Sequence, residues 1–231
     1  MSETSNVIAI VPAKGWSGRV PNKNFRPFHG ERSMLEIKLE QLRAVPEISA
    51  IYVSSDVEAA RDVAEANGAI FLPRDPRLTL DTTPWSEVLC GVLEQAPVPS
   101  ENQVAWAPLT NPLFTRYSEA IAMLGTPAVD GRGTVDSIMS VTRQQHYFLN
   151  ADFLPVNYQW GVWASYSQLL KPLYQMNCAL WLARKGDMIR NRFQVGDRPG
   201  FLVTDPIEGL DIDTMDEFEM AQFFYAKRFG G

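Results

Sequence analysis

The chain is poor in the features that mark secreted, membrane-embedded and redox proteins. Only two of its 231 residues are cysteine, Cys90 and Cys178, each within an apolar stretch. Neither a disulfide framework nor a thiolate metal site is expected, and both read as reduced thiols. The two histidines, His29 and His146, lack metal-ligand spacing. No apolar run approaches the ~20 residues that span a bilayer, and the first residues carry neither a basic stretch nor an apolar core, so the expected setting is cytoplasmic and off the membrane. A formal net charge of -6 removes the basic surface that nucleic acid requires. G-x-x-x-x-G-K-[ST] and G-x-G-x-x-G are also missing, which takes support from a P-loop nucleotidase and from a dinucleotide-binding oxidoreductase.

What is present begins with an apolar run, Val7 to Val11, that ends at Pro12 and opens into a polar loop. The run is short, β-branched and uncharged, as a buried strand must be. Between Ser5 and Gly30 stand four basic residues, Lys14, Arg19, Lys23 and Arg26, and no carboxylate. So local an excess of positive charge in an acidic chain suits a small anion, and backbone N–H groups with Lys and Arg can cradle a triphosphate without a named motif.

The remaining pattern alternates. Strands are expected at 6–11, 50–54, 69–72, 103–107, 136–141 and 179–184, and helices at 33–44, 57–67, 84–95, 116–124 and 215–228. This order predicts an α/β fold with a mostly parallel central sheet flanked by helices, in one domain over 1–231. Ser33 with Glu36 and Thr214 with Glu217 read as capping boxes, Gly68 as a helix stop, and Thr83-Pro84 as a cap followed by a first-turn proline. Ligands of such sheets lie off the carboxyl ends of the strands. There the later chain places Asp211 and Asp213, two carboxylates at i and i+2 that share a face in extended backbone and can hold one hard divalent cation, with Mg²⁺ over a nucleotide phosphate the natural candidate.

Six segments, in order, resemble the cytidylyltransferases that activate acidic sugars as CMP derivatives, such as CMP-sialic acid and CMP-Kdo synthetases. Pro12-Ala-Lys-Gly-Trp-Ser-Gly-Arg-Val-Pro-Asn-Lys-Asn24 is similar to the loop P-A-R-x-x-S-K-[GR]-[IV]-P-x-K-N, and Val53-Ser-Ser-Asp56 to V-S-[ST]-D. Arg74-Asp-Pro-Arg-Leu-Thr-Leu-Asp-Thr82 is similar to R-P-x-x-L-A-x-D-T, and Thr110-Asn-Pro-Leu113 to T-S-P-L. Asn177-Cys-Ala-Leu-Trp181 is similar to N-G-A-[IF]-Y, and Asp211-Ile-Asp-Thr214 matches D-I-D-T.

The resemblance implies a nucleotide-diphosphosugar-transferase-like fold that binds CTP and Mg²⁺ and transfers CMP to a small acidic acceptor, a 2-keto-3-deoxy sugar acid such as a nonulosonate or octulosonate, releasing pyrophosphate. It implies catalytic roles for Lys23, Lys14 and Arg19, with Lys23 at the α-phosphate. Ala13, Ser17, Asn24, Arg74, Asp81, Thr110 and Asn177 are implied in substrate binding, Asp211 and Asp213 on the metal, and a homodimer as the assembly. The chain departs from the pattern at Gly18, where the family has lysine, and at Pro108 and Leu109, where it has Gln-Pro. Those departures leave two other readings open: transfer to a phosphonate or other small acid, and a nucleotide-binding homologue without catalysis. A third reading, a structural module that docks a partner, rests on the aromatic stretch within 142–178. That stretch could also stack on the acceptor, or pack a subunit interface or the core.

Overall fold

The computed structural model describes residues 7–131, 133–161 and 164–230. Its centre is a seven-stranded sheet in the order β5-β4-β1-β6-β8-β7-β9. The strands are β1 (Val7–Pro12), β4 (Ile48–Ser55), β5 (Ile70–Pro73), β6 (Gln103–Trp106), β7 (Ser137–Gln144), β8 (Leu173–Arg184) and β9 (Pro199–Thr204), while β2 (Pro27–His29) and β3 (Arg32–Ser33) form a separate small hairpin. All neighbouring pairs are parallel except β6–β8 and β7–β8, so β8 alone runs against the rest. Among the described residues the α-helices are α1 (Met34–Arg43), α2 (Ala59–Ala66), α3 (Trp85–Gln95), α4 (Tyr117–Met123), α5 (Lys185–Asn191) and α6 (Met215–Phe229).

The sheet is buried on both faces, which is why β1 is continuously apolar. Val7, Ala9 and Val11 pack with α1, α2, α4 and α6, while Ile8 and Ile10 face the opposite way into a core closed by α3 and α5. Because side chains alternate along a strand, Trp106 on β6 and Trp181 on β8 both join that second core, and they stand directly opposite one another in the antiparallel register.

Both expected capping boxes are formed: Ser33 accepts from the Glu36 N–H while the Glu36 carboxylate accepts from the Ser33 N–H, and Thr214 and Glu217 do the same. Gly68, at φ 70°, follows α2 as expected. Thr83 does not cap α3. The carbonyl of Pro84 accepts the first helical bonds, so the helix begins one residue late and the Thr83 hydroxyl donates instead to the Arg77 carbonyl. His29, expected in a loop, lies in β2 against the ring of Tyr225. The elements not anticipated include the β2–β3 hairpin, α5, seven residues long with Gly186 in its first turn, and β9, which opens on Pro-Gly at the edge of the sheet and is exposed at alternate residues.

The largest irregularity is in β8. Met139 pairs with Trp181 and Val141 with Met176, so 177–180 bulge opposite the single residue Ser140. The Ser140 hydroxyl fills the gap, donating to the Asn177 side chain at 2.7 Å and accepting from the Leu180 N–H. Cys178 on the bulge adopts φ 60°, a conformation costly for a residue with a Cβ. Bulges of this kind redirect side chains beside functional sites.

The α1 cap gives a stability test. Ser33→Ala removes one side of the box and should cost about 1 kcal/mol, read as a lowered urea midpoint at unchanged m-value.

Candidate active site

A cavity of about 860 Å³ opens at the carboxyl ends of β1 and β6, with the bulge of β8 on its far wall. The loop after β1 forms one side, and hydrogen bonds define its path. Ala13 continues the ladder by donating to the Ser54 carbonyl at 2.9 Å, and the Gly15 N–H donates to the Asp56 carboxylate at 2.8 Å. A Cβ on Gly15 would come within 2.2 Å of Val57, so only glycine lets the loop pass. Asn22, in the left-handed region at φ 55°, accepts from the N–H groups of Phe25 and Arg26, and the Asn24 amide donates to the Lys14 carbonyl at 2.8 Å.

These constraints bring the expected cations to the cavity, where each meets an oxygen of the protein. Lys14 donates to Asp81 at 2.8 Å and Arg19 to Asp213 at 2.7 Å. Lys23 donates to the Ile212 carbonyl at 2.7 Å and stands 3.8 Å from Asp213. Burial holds the Lys23 ammonium below the usual lysine range, partly offset by Asp213 and Asp211. Arg74 is largely withdrawn, its guanidinium donating to the Ser54 hydroxyl at 3.1 Å and carbonyl at 2.8 Å, and burial lowers it to about 10.

The two expected metal ligands lie on an extended segment just before α6. Ile212 N–H donates to the Thr110 carbonyl at 2.9 Å, which pins this segment against the loop after β6. Burial pushes the Asp211 carboxyl above the ordinary carboxylate range, opposed by the Thr110 hydroxyl and Lys23, and its Oδ1 has no hydrogen-bond partner among the described residues. A buried carboxylate oxygen without a donor, two residues from a second carboxylate, suits a hard cation. Among the described residues no cluster of three or more His, Cys, Asp or Glu is found. A two-carboxylate set matches Mg²⁺, which keeps waters and substrate phosphates in its remaining positions.

Of the other expected residues, Ser17, Asn24, Arg74, Asp81 and Thr110 line the cavity together with Lys14, Arg19 and Lys23. Ala13 and Asn177 do not, and neither do Asp211 and Asp213, of which Asp213 meets the lining residues Arg19 and Lys23 from outside it. Ala13 is fully buried in the core, and the Asn177 amide is spent inside the bulge, donating to Thr142 at 2.9 Å and Thr204 at 2.7 Å. Sequence reasoning missed the aromatic part of the lining, Trp16, Trp85, Trp106, Trp181 and Phe193, and the amide of Gln194. Six tryptophans in a chain of this size were the available signal, but their convergence is a tertiary fact.

Also missed was Lys38, fully buried in α1. Its ammonium donates to the Asn111 carbonyl at 2.9 Å and the Tyr117 hydroxyl at 2.8 Å, and burial lowers it to about 7. The Asn111 amide in turn donates to the carbonyls of Asn177 at 2.9 Å and Leu210 at 3.0 Å. Lys38 thus supports the residues that flank both Asp211 and the β8 bulge.

Comparison with known proteins bears on the family and the fold. A family model described as cytidylyltransferase matches residues 8–155. A search of curated proteins finds no match. Among solved structures, a CMP:2-keto-3-deoxy-manno-octonic acid synthetase complexed with CTP aligns over 97% of this chain and 100% of its own, with TM-score 0.67 and 13% identity. A 4-diphosphocytidyl-2C-methyl-D-erythritol synthase from Anaerococcus prevotii aligns over 96% of each chain, with TM-score 0.63 and 13% identity. At these identities the likeness is one of fold, the nucleotidyltransferase-like α/β architecture.

Lys38 yields a pH prediction. Between about pH 7 and the ordinary lysine value the unfolded chain carries a proton on this amine that the folded chain lacks, so stability rises with pH across that window. The slope contributed by one proton reaches about 1.4 kcal/mol per pH unit. Urea unfolding from pH 6 to 10 should show this rise in the wild type and its loss in Lys38→Met.

Proposed function

Because the chain belongs to the cytidylyltransferase family, we propose that this cavity transfers CMP from CTP to a small acidic acceptor, with Mg²⁺ as cofactor and pyrophosphate as the second product. The observation that carries the reading is that Arg19 and Lys23, which line the cavity with Lys14, meet Asp213 from the far end of the chain, with Asp211 near enough to act on the Lys23 ammonium. Cations placed where phosphate charge develops, beside carboxylates able to hold a divalent ion, form the machinery of nucleotidyl transfer.

An oxygen of the acceptor attacks the α-phosphorus in line. The bond from that phosphorus to the oxygen bridging it to the β-phosphorus breaks, pyrophosphate leaves with the electron pair, and the acceptor's proton passes to water or a mild base. Lys23, half-desolvated and rigidly placed by the Ile212 carbonyl, stabilises the α-phosphate as charge builds. Lys14 and Arg19 bind the outer phosphates by exchanging their present carboxylate partners for phosphate oxygens. The release of Arg19 also frees Asp213, so that Asp211 and Asp213 would hold Mg²⁺, whose charge, when bound, offsets that of the phosphates. Ser17, Asn24, Arg74, Asp81 and Thr110 shape the substrate pocket.

We read residues 142–178 as the segment that serves the acceptor side and a homodimer contact. Phe153, Tyr166 and Leu169 present large apolar surfaces there, each about three-quarters exposed. Among the described residues no helix is long and apolar enough to cross a membrane.

The test is pyrophosphate release from CTP and Mg²⁺ across a panel of acids, with ATP, GTP and UTP as controls. CTP-selective release is expected. Lys23→Ala and Asp211→Ala should each lower kcat by about 10²-fold or more. Release unchanged in both variants would remove the assigned roles.

A further inference from the structure

Residues 210–213 run between β9 and α6 with no strand ladder to fix them. Two other devices do so. At one end the Asp213 N–H donates to the Glu217 carboxylate of the α6 cap at 2.8 Å. At the other, both neighbours of Asp211 are fastened to the dipeptide 110–111 in the loop after β6: the Ile212 N–H donates to the Thr110 carbonyl at 2.9 Å, and the Asn111 amide donates to the Leu210 carbonyl at 3.0 Å. Ile212 is also the anchor of Lys23, whose ammonium donates to its carbonyl at 2.7 Å. The same dipeptide therefore sets where the Asp211 carboxylate and the Lys23 ammonium stand relative to each other.

The chemistry of Asn111 suits this task. Its side chain is fully buried, and the two protons of its amide nitrogen go to the carbonyls of Leu210 and, at 2.9 Å, of Asn177. Its Oδ1 accepts from the Thr110 hydroxyl at 3.3 Å. Turned over, the amide would set its oxygen against two carbonyls, so the bonding pattern selects one orientation. None of the side chain's hydrogen-bond partners is a charged group. Its influence on the site passes through the backbone that carries Asp211.

Resting on the reading of this site as Mg²⁺-dependent CMP transfer, we propose that Asn111 is a positioning residue: by clamping Leu210 it holds the Asp211 carboxylate in register with Asp213 and Lys23, so that one divalent ion can be shared by the two carboxylates beside the α-phosphate. Groups that orient a metal ligand from behind govern affinity for the ion as well as reaction. The cations that bind the outer phosphates come from the β1 loop, which the Asn111 side chain does not bond, so nucleotide affinity without metal is independent of it.

The experiment measures the binding of Mn²⁺, a paramagnetic stand-in for Mg²⁺, to the full chain with a CTP analogue bearing a methylene bridge between the α- and β-phosphorus, by electron paramagnetic resonance. Affinity for the analogue alone is measured by calorimetry in EDTA. Asn111→Leu, close in volume but without donors, should weaken Mn²⁺ about tenfold, with metal-free analogue affinity changed less than about twofold. Ser33→Ala, whose lost hydroxyl bonds only Glu36, controls for lowered stability and should leave Mn²⁺ affinity at the wild-type value. If Asn111→Leu fails to fold, Asn111→Ser, with one donor on a shorter arm, supplies the comparison at a loss of about threefold or more. Wild-type Mn²⁺ affinity in the folded variant overturns the proposal, as does an equal loss in Ser33→Ala or a parallel loss of metal-free analogue affinity. If the wild type holds Mn²⁺ no tighter than the free analogue does, the reading of Asp211 and Asp213 as metal ligands falls, and the role of Asn111 with it.

Discussion

The site depends on a buried amine. Lys38 lies beneath the loop after β6, and through Asn111 it ties α1 to the carbonyls of Asn177 and Leu210. One of those carbonyls precedes Cys178 on the β8 bulge and the other precedes Asp211. Segments separated by more than 170 residues are therefore held at one point by buried hydrogen bonds. The cost is a desolvated lysine, which burial drives toward its uncharged form; a neutral amine still has two protons to give, enough for the Asn111 carbonyl and the Tyr117 hydroxyl.

Above this support the charges of the cavity are mutually paired. Lys14 holds Asp81, and Arg19 holds Asp213. Such pairs at a solvent-accessible rim contribute roughly 0–1 kcal/mol each, so a triphosphate with its divalent ion can displace them. Lys23 differs, because its partner is a backbone carbonyl that keeps its place when the carboxylates exchange partners. A cation fixed by the fold stabilises developing charge without reorganising, which is the property a transferred phosphoryl group requires. The carboxylates behave unequally too. Asp213 starts in an ion pair, whereas Asp211 starts desolvated and short of a donor, and so has more to gain from a cation.

The legible parts of the fold were those governed by local pattern. The uncharged run of β1 reported a strand buried on both faces, and Ser33-x-x-Glu36 and Thr214-x-x-Glu217 marked the starts of α1 and α6 because a capping box is closed within four residues. The β1 loop was legible for a related reason: its cations, Gly15 and Asn24 are close in sequence and act on a single turn of chain. α5 was not legible, since seven residues with a glycine in the first turn carry too little periodicity. Nor was the β8 bulge, which exists only because Ser140 on another strand fills it.

By itself the sequence determined the alternating α/β order, the cationic loop, the paired carboxylates of Asp211 and Asp213, and the family that these motifs mark. Each is a pattern within a short window, where spacing alone sets which groups share a face. Only the tertiary structure decided that Arg19 and Lys23 meet Asp213, that Asn177 turns into a buried polar cluster instead of the cavity, and that tryptophans from the β1 loop, α3, β6 and β8 border one space. Those outcomes follow from strand order and from the reversed direction of β8, which brings Trp181 beside Trp106 across 75 residues of chain. Nothing in the local sequence of either residue specifies that pairing, because register is set by the packing of the whole sheet.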